Sequence, residues 1–432
     1  MKKIYDMYAS RTLKTLKTLK TLAIIALTFV GFCACSDVKD LGAGYKDVFS
    51  NDGPPQIVAI YDVISDSNWV SPINEGVLNQ YIRITGKNLA NPTEIIVDGL
   101  DVDIPHRVYA ENGECYLRIP RYVPDSQDGQ LVYKTEQGTV TVDFTVGVPA
   151  VELVGLVNEF ILPGNSAQLS GDYFDLYNFG DTTETSPVKI TAVNEESGYN
   201  EVLKCDSCTE TYTSVKIPED CPDNSLITFQ YQNMEKETVV KTIKYRPTEN
   251  LLYGNFDGDL GWWNDDGKAL VTDGSNDGDP ASLGFNFLRF NKTIDSWAWW
   301  STGFGSEFPL ELTSLSELKN YVMKFEVCTS ASCPFYSYTD DNTGYDHAGY
   351  EFTLMGCASR YQFNPVGDQG LSNTNGKWVT YRIPLADMMK GLEEVPAKGA
   401  WCNFEFVCQP NNDDGWTVDH SFGQFRIEPA EY

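Results

Sequence analysis

Apolar and polar residues alternate along most of the chain from Gly53 onward. Short runs rich in Val, Ile, Thr, Tyr and Phe are separated by Gly, Asn, Asp and Pro. Because side chains alternate between two faces along a strand, this pattern predicts β-strands joined by turns. Helical periodicity is nearly absent, and residues 385–392 form the best short helical segment. The sequence therefore predicts an all-β protein, and its 432 residues predict several domains.

An internal repeat lies in the first half of the chain. Residues 81–89 (YIRITGKNL) resemble residues 167–174 (AQLSGDYF), and an Ile-Pro pair follows later in both copies, at Ile119 and Ile217. Each copy begins after a proline and spans about 100 residues, the usual size of an immunoglobulin-like sandwich. The repeat therefore predicts two consecutive β-sandwiches.

The first copy reads Pro-x-Ile, then Ile-x-Ile-x-Gly-x-x-Leu and then Ile-Pro, which resembles the IPT/TIG immunoglobulin-like module. We assign two such modules to residues 54–147 and 148–247, after a linker at 36–53. The resemblance implies stiff spacers, because the two modules contain one tryptophan, Trp69, and no dense strip of aromatic residues.

Residues 248–432 form the last predicted domain and hold eight of the nine tryptophans. Residues 250–263 and 422–429 resemble the opening and the last core strand of jelly-roll carbohydrate-binding modules, which implies a larger jelly-roll β-sandwich. An exposed aromatic surface is costly in water unless it binds a ligand. Sugar rings stack their apolar C–H face on such surfaces, so we expect this domain to carry the binding chemistry.

Strand alternation separates the two faces of residues 401–408. One set of alternate residues is wholly apolar and is predicted to face the core: Cys402, Phe404, Phe406 and Cys408. The other face then holds Trp401, Asn403 and Glu405, the combination of ring, amide and carboxylate that a sugar site uses. The same reasoning places these core residues in two further strands: Tyr350, Phe352, Leu354, Tyr321, Met323, Phe325 and Val327. It predicts these outward residues: Glu351, Thr353, Lys324 and Glu326.

The densest aromatic cluster is Trp297-Ala-Trp299-Trp300. In an extended chain Trp297 and Trp299 share a face about 7 Å apart, and Trp300 points to the opposite face. Tryptophan is rarely buried completely, so we expect at least two exposed rings in the domain. The strongest candidates for exposure are Trp262, Trp297, Trp299, Trp300 and Trp416. The full set of predicted glycan-binding residues is Trp262, Trp263, Trp297, Trp299, Trp300, Tyr345, Trp401, Asn403, Glu405 and Trp416.

The amino terminus predicts export. A basic stretch to Lys20 precedes an apolar run at 22–34, which is too short to span a bilayer and is typical of a secretory signal. The run ends in Phe-Cys-Ala-Cys35, which resembles the lipobox of bacterial lipoproteins. This resemblance implies that residues 1–35 are a lipoprotein signal peptide and that cleavage makes Cys35 the new N-terminus. It also implies that Cys35 carries a lipid, which would anchor the protein to a membrane. A cleaved signal without a lipid is the alternative.

The net charge of −29 excludes nucleic acid as a partner, because nucleic-acid binding relies on Lys and Arg at phosphates. A neutral ligand fits this surface, although acidity that only maintains solubility explains the charge equally well. The three histidines are scattered, so no metal site, catalytic residue or cofactor is predicted. Residues 273–279 are rich in oxygen ligands for calcium, but an acidic solvated turn is the preferred interpretation.

The order of signal, tandem modules and Trp-rich domain resembles the surface glycan-binding proteins of Bacteroidota-type polysaccharide-utilisation systems. The resemblance is most specific over 248–432, which looks like the xyloglucan-binding domain of those proteins. It implies an outer-membrane location facing the cell exterior, an aromatic platform for a neutral β-linked plant glycan, and a partner transporter complex in the outer membrane. Xyloglucan and mixed-linkage β-glucan are favoured, and mannan is open.

Two other functions compete with glycan binding by a protein that is not an enzyme. A glycoside hydrolase needs two carboxylates about 5–10 Å apart, and Glu351 with Glu405 is such a candidate pair. No motif marks this pair. An adhesin that binds protein is the other alternative, favoured if the tryptophans form a flat surface without a groove.

Overall fold

The structure, a computed structural model, describes residues 48–65, 68, 70–181, 183, 186–253, 256, 269–335, 337–339, 346–355, 360–410 and 414–430. The predicted signal peptide with Cys35 and most of the predicted linker lie outside these residues. The regular secondary structure of the described residues is almost entirely β, which confirms the all-β prediction. No helix in this part of the chain has the length and apolar character needed to cross a bilayer.

The strands, numbered in chain order, are β1 (Gln56–Asp62), β2 (Glu75–Val77), β3 (Tyr81–Lys87), β4 (Pro92–Val97), β5 (Leu100–Asp101), β6 (Val108–Ala110), β7 (Glu114–Arg118), β8 (Gln130–Thr135), β9 (Gly138–Asp143), β10 (Thr145–Gly147), β11 (Glu152–Leu156), β12 (Ser166–Asp172), β13 (Lys189–Asn194), β14 (Tyr199–Val202), β15 (Cys205–Cys208), β16 (Tyr212–Lys216), β17 (Ser225–Gln232), β18 (Thr238–Tyr245), β19 (Leu251–Tyr253), β20 (Leu270–Thr272), β21 (Phe287–Ile294), β22 (Trp300–Glu307), β23 (Tyr321–Thr329), β24 (Ser337–Thr339), β25 (Asp346–Ala348), β26 (Tyr350–Leu354), β27 (Tyr361–Phe363), β28 (Val379–Pro384), β29 (Trp401–Cys408) and β30 (Trp416–Pro429). The helical segments are Ile104–Arg107, Pro365–Gln369, Leu385–Met388 and the 3₁₀ helix Leu315–Asn320.

The sequence repeat corresponds to a repeat in strand order. The first sandwich contains the sheets β1-β3-β7-β6 and β5-β4-β8-β9, and the second contains β11-β12-β16-β15 and β14-β13-β17-β18. The glycine shared by the two copies has a steric reason. A Cβ atom on Gly86 would lie 1.9 Å from the carbonyl oxygen of Gln56, and one on Gly171 would lie 2.0 Å from that of Glu152. Each first strand therefore passes too close for any larger residue.

The C-terminal sandwich is larger and has its own core. One sheet has the order β20-β21-β30-β23-β28, with β19 also paired to β30, and the other has the order β22-β29-β26-β27. Both sheets contribute aromatic side chains to one buried cluster that includes Phe290, Phe325, Phe352, Phe406 and Phe425. The inward residues predicted for β26 and β29 are all buried, which confirms the alternation there.

Two outward residues of β23 point away from the core as predicted but are not exposed to solvent. Lys324 and Glu326 face away from the core of the C-terminal sandwich, as the alternation requires, but both are buried. The second sandwich covers them, and its Glu159 carboxylate accepts a hydrogen bond of 2.9 Å from Lys324 Nζ. A local sequence pattern gives the direction of a side chain, but it does not show that another domain covers it.

A network of six charged side chains, five of them buried and Arg382 partly exposed, joins the second and third sandwiches: Glu159, Lys324, Glu326, Arg382, Arg426 and Glu428. It contains three acidic and three basic groups, so the charges balance. Burial by itself raises the pKa of Glu159, but the positive charges of Arg426, Lys324 and Arg382 outweigh it and lower that pKa to about 2. Glu159 is therefore ionised at neutral pH.

Backbone and apolar contacts complete this joint. Thr380 on β28 donates its N–H to the carbonyl oxygen of Val157 at 2.7 Å, so the edge of the C-terminal sheet is bonded to the second sandwich. Arg246 donates to the carbonyl oxygens of Phe160 and Leu283, at 2.9 and 3.0 Å. An apolar cluster lies beside these bonds and consists of Phe160, Leu283, Phe287, Cys328 and Trp378, with Phe285 packed against it.

Candidate functional site

The outward face of the sheet β22-β29-β26-β27 is the candidate site. In β29 the inward residues are buried against the core, so Trp401, Asn403 and Glu405 share the outward face. The strand register brings other residues to the same face, because directly paired residues lie on one side of a sheet. Glu405 pairs with Gly303 on one side and Thr353 on the other, and Asn403 pairs with Gly305. We call this surface the outer face.

One end of the outer face carries exposed tryptophans. Trp297 and Trp299 precede β22, and 58% and 52% of their surfaces are exposed. The guanidinium carbon of Arg360 lies 4.7 Å from the centre of the Trp299 ring. Such a cation–π contact fixes the direction of the indole and covers one of its faces. Trp299 nonetheless remains about half exposed, so part of its indole surface is available for stacking.

The backbone at Trp297 adopts an unusual conformation. Its φ angle of 58° lies in the left-handed region, which a bulky residue rarely occupies. The turn is held by a hydrogen bond from Trp297 N–H to the carbonyl oxygen of Pro410, at 2.9 Å. Such strain persists only where surrounding structure enforces it, and it concentrates at functional sites. The observed conformation therefore favours a role for this turn in binding.

A polar network extends from Trp299 across the outer face. Arg360 Nη1 donates to Glu351 Oε2 at 3.0 Å, and Gln362 Nε2 donates to Glu351 Oε1 at 2.6 Å. Glu351 and Gln362 are directly paired residues of β26 and β27. Amide, carboxylate and guanidinium groups in this arrangement offer both donors and acceptors to the hydroxyl groups of a sugar.

Glu405 lies nearer the middle of the outer face. Partial burial raises the pKa of its carboxyl group, while the Arg360 charge and a hydrogen bond with Ser301 offset part of this effect. Its neighbour across the sheet, Thr353, has a buried hydroxyl group with no hydrogen-bond partner in the described part of the chain. Next along β29, Asn403 is partly exposed.

A third exposed tryptophan marks the far end of the outer face. Trp401 is 59% exposed and begins β29, where it pairs with Glu307. The residue opposite Trp300 is Cys408, so Trp401 lies seven residues along the strand, or about 24 Å, from the Trp297–Trp299 turn. The outer face thus has stacking surfaces at both ends and polar groups between them, which suits an extended chain of sugars.

Two predicted surface tryptophans are buried, so that expectation was wrong. Trp300 is the first residue of β22, faces the core and packs 5.1 Å from the Phe290 ring centre. Trp416 packs 4.9 Å from the Tyr350 ring centre. It is the first residue of β30 and not part of a loop. The turn signals end at Gly415, and Trp416 already pairs with Ile294, the last residue of β21.

The other predicted site residues divide into two groups. The structure brings Asn403, Glu405 and Trp401 together on one strand and places Trp297 and Trp299 at the end of the same sheet. Trp262, Trp263 and Tyr345 lie outside the described residues.

Sequence reasoning missed Arg360 and Gln362. Gln362 follows the strand alternation, since its neighbour Phe363 is buried in the core. Its short strand lies among polar residues and shows little periodicity. Arg360 lies just before that strand, where alternation makes no prediction.

The acidic segment 273–279 has a structural explanation. Arg289 Nη1 lies 2.7 Å from Asp279 Oδ1, and Thr272 also donates to that carboxylate. Arg289 bonds Asp419 as well, so it links the turn to β30. In the part of the chain that the structure describes, no cluster of three or more His, Cys, Asp or Glu residues is arranged to hold a metal ion.

The C-terminal part of the chain matches a known protein family. Residues 245–429 match the family model of the surface glycan-binding protein B xyloglucan binding domain. This match confirms the resemblance that the sequence predicted for residues 248–432. A search of curated proteins gave no match.

Solved structures also resemble the chain. The surface glycan-binding protein PbSGBP-B from Prevotella bryantii is 17% identical, with 88% of this chain and 100% of that chain covered and a TM-score of 0.50. SGBP-B from a complex xyloglucan utilization locus in Bacteroides uniformis is 15% identical, with 87% and 99% covered and a TM-score of 0.45. The Prevotella bryantii structure supports the same fold for this chain.

Proposed function

We propose that this chain is a cell-surface protein that captures a neutral β-linked glycan on the outer face. The observation that carries the proposal is the arrangement of Trp299 and Trp401 at the two ends of a sheet face whose middle carries Glu405 and Asn403. Sugar rings stack on the indoles, and their hydroxyl groups bond the carboxylate and amide groups. The family description of residues 245–429 supports a xyloglucan-type β-glucan as the ligand.

Anchoring and uptake follow from the same proposal. The exported chain carries a lipid on Cys35, lies on the outer membrane and faces the cell exterior. It hands captured oligosaccharide to a transporter complex in that membrane. Each aromatic contact contributes on the order of 1 kcal/mol, and association itself is costly, so affinities of about micromolar to millimolar are expected. Weak binding suits a protein that has to release its ligand.

The pair Glu351 and Glu405 keeps hydrolysis as a second candidate. Glu405 lies two residues from Val407, the direct partner of Glu351, so the two carboxylates are diagonal neighbours on the outer face. We propose that they bind and do not cleave, because both oxygens of Glu351 already accept hydrogen bonds from Arg360 and Gln362. Incubation with the bound glycan tests this: release of new reducing ends, lost in Glu405→Gln, would favour hydrolysis.

Affinity electrophoresis tests the main proposal. Residues 36–432 are run in gels that contain xyloglucan, mixed-linkage glucan, galactomannan, xylan or starch. Retardation by a neutral glycan, strongly reduced in Trp299→Ala and in Trp401→Ala, is the expected result. Trp416→Phe serves as a control because the side chain is buried. No retardation in any gel would contradict glycan capture and favour an adhesin that binds protein.

A further inference from the structure

An aromatic surface in the first sandwich is not explained by a spacer role. The outward residues of the sheet β1-β3-β7-β6 include four tyrosines: Tyr61, Tyr81, Tyr109 and Tyr116. We call this surface the tyrosine face. The alternate residues of the central strands, such as Ile82 and Leu117, are buried in the core. Tyr81 and Tyr109 remain 45% and 41% exposed.

The register aligns these residues in rows across the sheet. Tyr61 pairs with Arg83, Arg83 pairs with Tyr116, and Tyr116 pairs with Tyr109. The ring centres of Tyr109 and Tyr116 are 6.4 Å apart. In the next row Tyr81 pairs with Arg118, whose guanidinium carbon lies 5.2 Å from the Tyr81 ring centre. The rings are therefore held in fixed positions.

The second sandwich shows that the fold does not require these tyrosines. It has the same strand order and the same register, in which Ser166 pairs with Lys216, and Ser214 pairs with Gln168 and Ser207. Serine thus occupies the positions that correspond to Tyr81, Tyr116 and Tyr109. The two copies of the sandwich therefore differ at the same three outward positions, which hold tyrosine in the first copy and serine in the second. The strand order and register of the sandwich therefore do not require aromatic residues at these positions.

The tyrosine face has nearly balanced charge in a chain whose net charge is −29. Arg83 bonds Glu114 at 2.7 Å, and Tyr109 donates to Glu111. Arg107 and Arg118 lie on the same side, with Asp103 close to His106. Such a surface offers no net electrostatic attraction to a polyanion or to a polycation. Tyrosine rings beside charged and hydroxyl groups match the alternating apolar and polar faces of a sugar.

The shape of the surface also fits an oligosaccharide. An open cavity of about 630 Å³ lies over the tyrosine face. Its lining includes Tyr81, Tyr109, Tyr116, Arg118 and His106. A cavity of this volume lies in the range of small-molecule and oligosaccharide sites. Because it is open, a polymer can enter it and continue beyond.

We propose that the tyrosine face is a second glycan-binding surface, which takes a neutral polysaccharide and acts together with the outer face of the C-terminal sandwich. The inference rests on the proposed function, because the two surfaces bind one long ligand. Two linked weak sites raise the apparent affinity for a polymer without changing the affinity of either site for a short oligosaccharide. The first sandwich then contributes to capture as well as to spacing.

The test uses the residues of the second sandwich as replacements. Tyr81→Ser, Tyr109→Ser and Tyr116→Ser are combined in residues 36–432, and Tyr122→Ser, an exposed tyrosine elsewhere in the same sandwich, is the matched control. The triple variant is expected to bind polysaccharide about tenfold more weakly than the control in affinity gels. Its affinity for a short oligosaccharide, measured by calorimetry, should stay unchanged. Tyr109→Ser alone provides the same comparison with less disturbance if the triple variant does not fold.

A second arm measures the tyrosine face by itself. Trp299→Ala combined with Trp401→Ala should leave weak retardation by polysaccharide, and adding the three serine replacements should remove it. Equal polysaccharide affinity in the triple variant and in Tyr122→Ser would overturn this inference alone and leave binding by a protein partner as the use of the surface. A wild-type chain that binds no glycan would overturn the proposed function as well.

Discussion

Glu159 in the second sandwich and Arg426 in the C-terminal sandwich form a salt bridge with almost no solvent exposure, 1% and 0% of the two side chains. Arg426 also bonds Glu326 at 3.0 Å, and its guanidinium carbon lies 4.9 Å from the Phe160 ring centre. A buried pair of this kind adds little net stability compared with an apolar pair, but it satisfies its charges in only one geometry. The second sandwich therefore holds the outer face at a fixed orientation.

Removing the Glu159 charge is expected to be strongly destabilising. Glu159→Gln leaves Arg426, Lys324 and Arg382 with one carboxylate fewer in a buried site, and breaking a buried pair costs about 3–5 kcal/mol. Denaturant unfolding measures the loss. The control is Glu94→Gln, which breaks the exposed pair with Lys134 and should cost less than about 1 kcal/mol. Similar small losses in both variants would show that solvent reaches Glu159 and that the two sandwiches do not dock as described.

The burial of Lys324 and Glu326 at this joint was not predictable from the sequence, for a physical reason. Alternation along β23 correctly directs Lys324 and Glu326 away from their own core, and charged residues in such positions normally face water. Their burial depends on Glu159, which is more than 160 residues away in sequence. Long-range docking of this kind leaves no periodic signal. By contrast, the inward face of β29 was predictable because four consecutive alternate residues are apolar and only one face can be the core.

The tryptophans show the same limit. Alternation separates Trp299 from Trp300, but Trp297 lies in a turn with a φ of 58°, so the extended chain predicted for this segment was wrong at that residue. Both faces of the segment are aromatic, so the pattern did not show which one is the core. The pairing of Trp300 with Cys408 determines it. Arg360 is a different case, since its contact with Trp299 depends on where a short strand ends.

The backbone at Trp297 predicts opposite effects on stability and binding. Its left-handed φ costs about 1–2 kcal/mol for a residue with a Cβ atom, and glycine avoids this cost. Trp297→Gly should therefore unfold with a higher free energy than Trp297→Ala, by about 1 kcal/mol. Both variants lose the exposed ring and should bind glycan about tenfold more weakly. Denaturant unfolding and calorimetric titration give the two quantities. Equal stability of the Gly and Ala variants would mean that the turn is not strained.

Arg360 is expected to act by positioning Trp299. Arg360→Lys keeps the positive charge beside Glu351 but loses the planar group that stacks on the indole. Glycan affinity should fall about threefold to tenfold, because the ring is less ordered before binding. The matched control is Lys292→Ala, since Lys292 Nζ lies 5.3 Å from the centre of the buried Trp300 ring. If both variants bind as tightly as wild type, the orientation of Trp299 does not depend on Arg360.

His420 should make stability depend on pH. Burial lowers its pKa to about 4, against the opposing effects of its hydrogen bond to the Cys333 carbonyl oxygen and of the nearby Asp419 charge. Its other nitrogen lies 3.1 Å from the Tyr350 hydroxyl group. In the unfolded chain the pKa is about 6.5. The neutral form therefore stabilises the fold fully above about pH 6.5, and this contribution falls as the pH drops towards 4, because only the unfolded chain gains a proton.

The loss between pH 6.5 and 4 should total about 3 kcal/mol of unfolding free energy from this group. His420→Gln removes the titrating group, so its unfolding free energy should decline less than that of wild type over the same interval. Denaturant unfolding at pH 7.5, 6 and 4.5 measures both slopes. His106→Gln controls for the loss of a histidine, since the His106 side chain is largely exposed. Parallel slopes for wild type and His420→Gln would show that His420 is not held in its neutral form by burial.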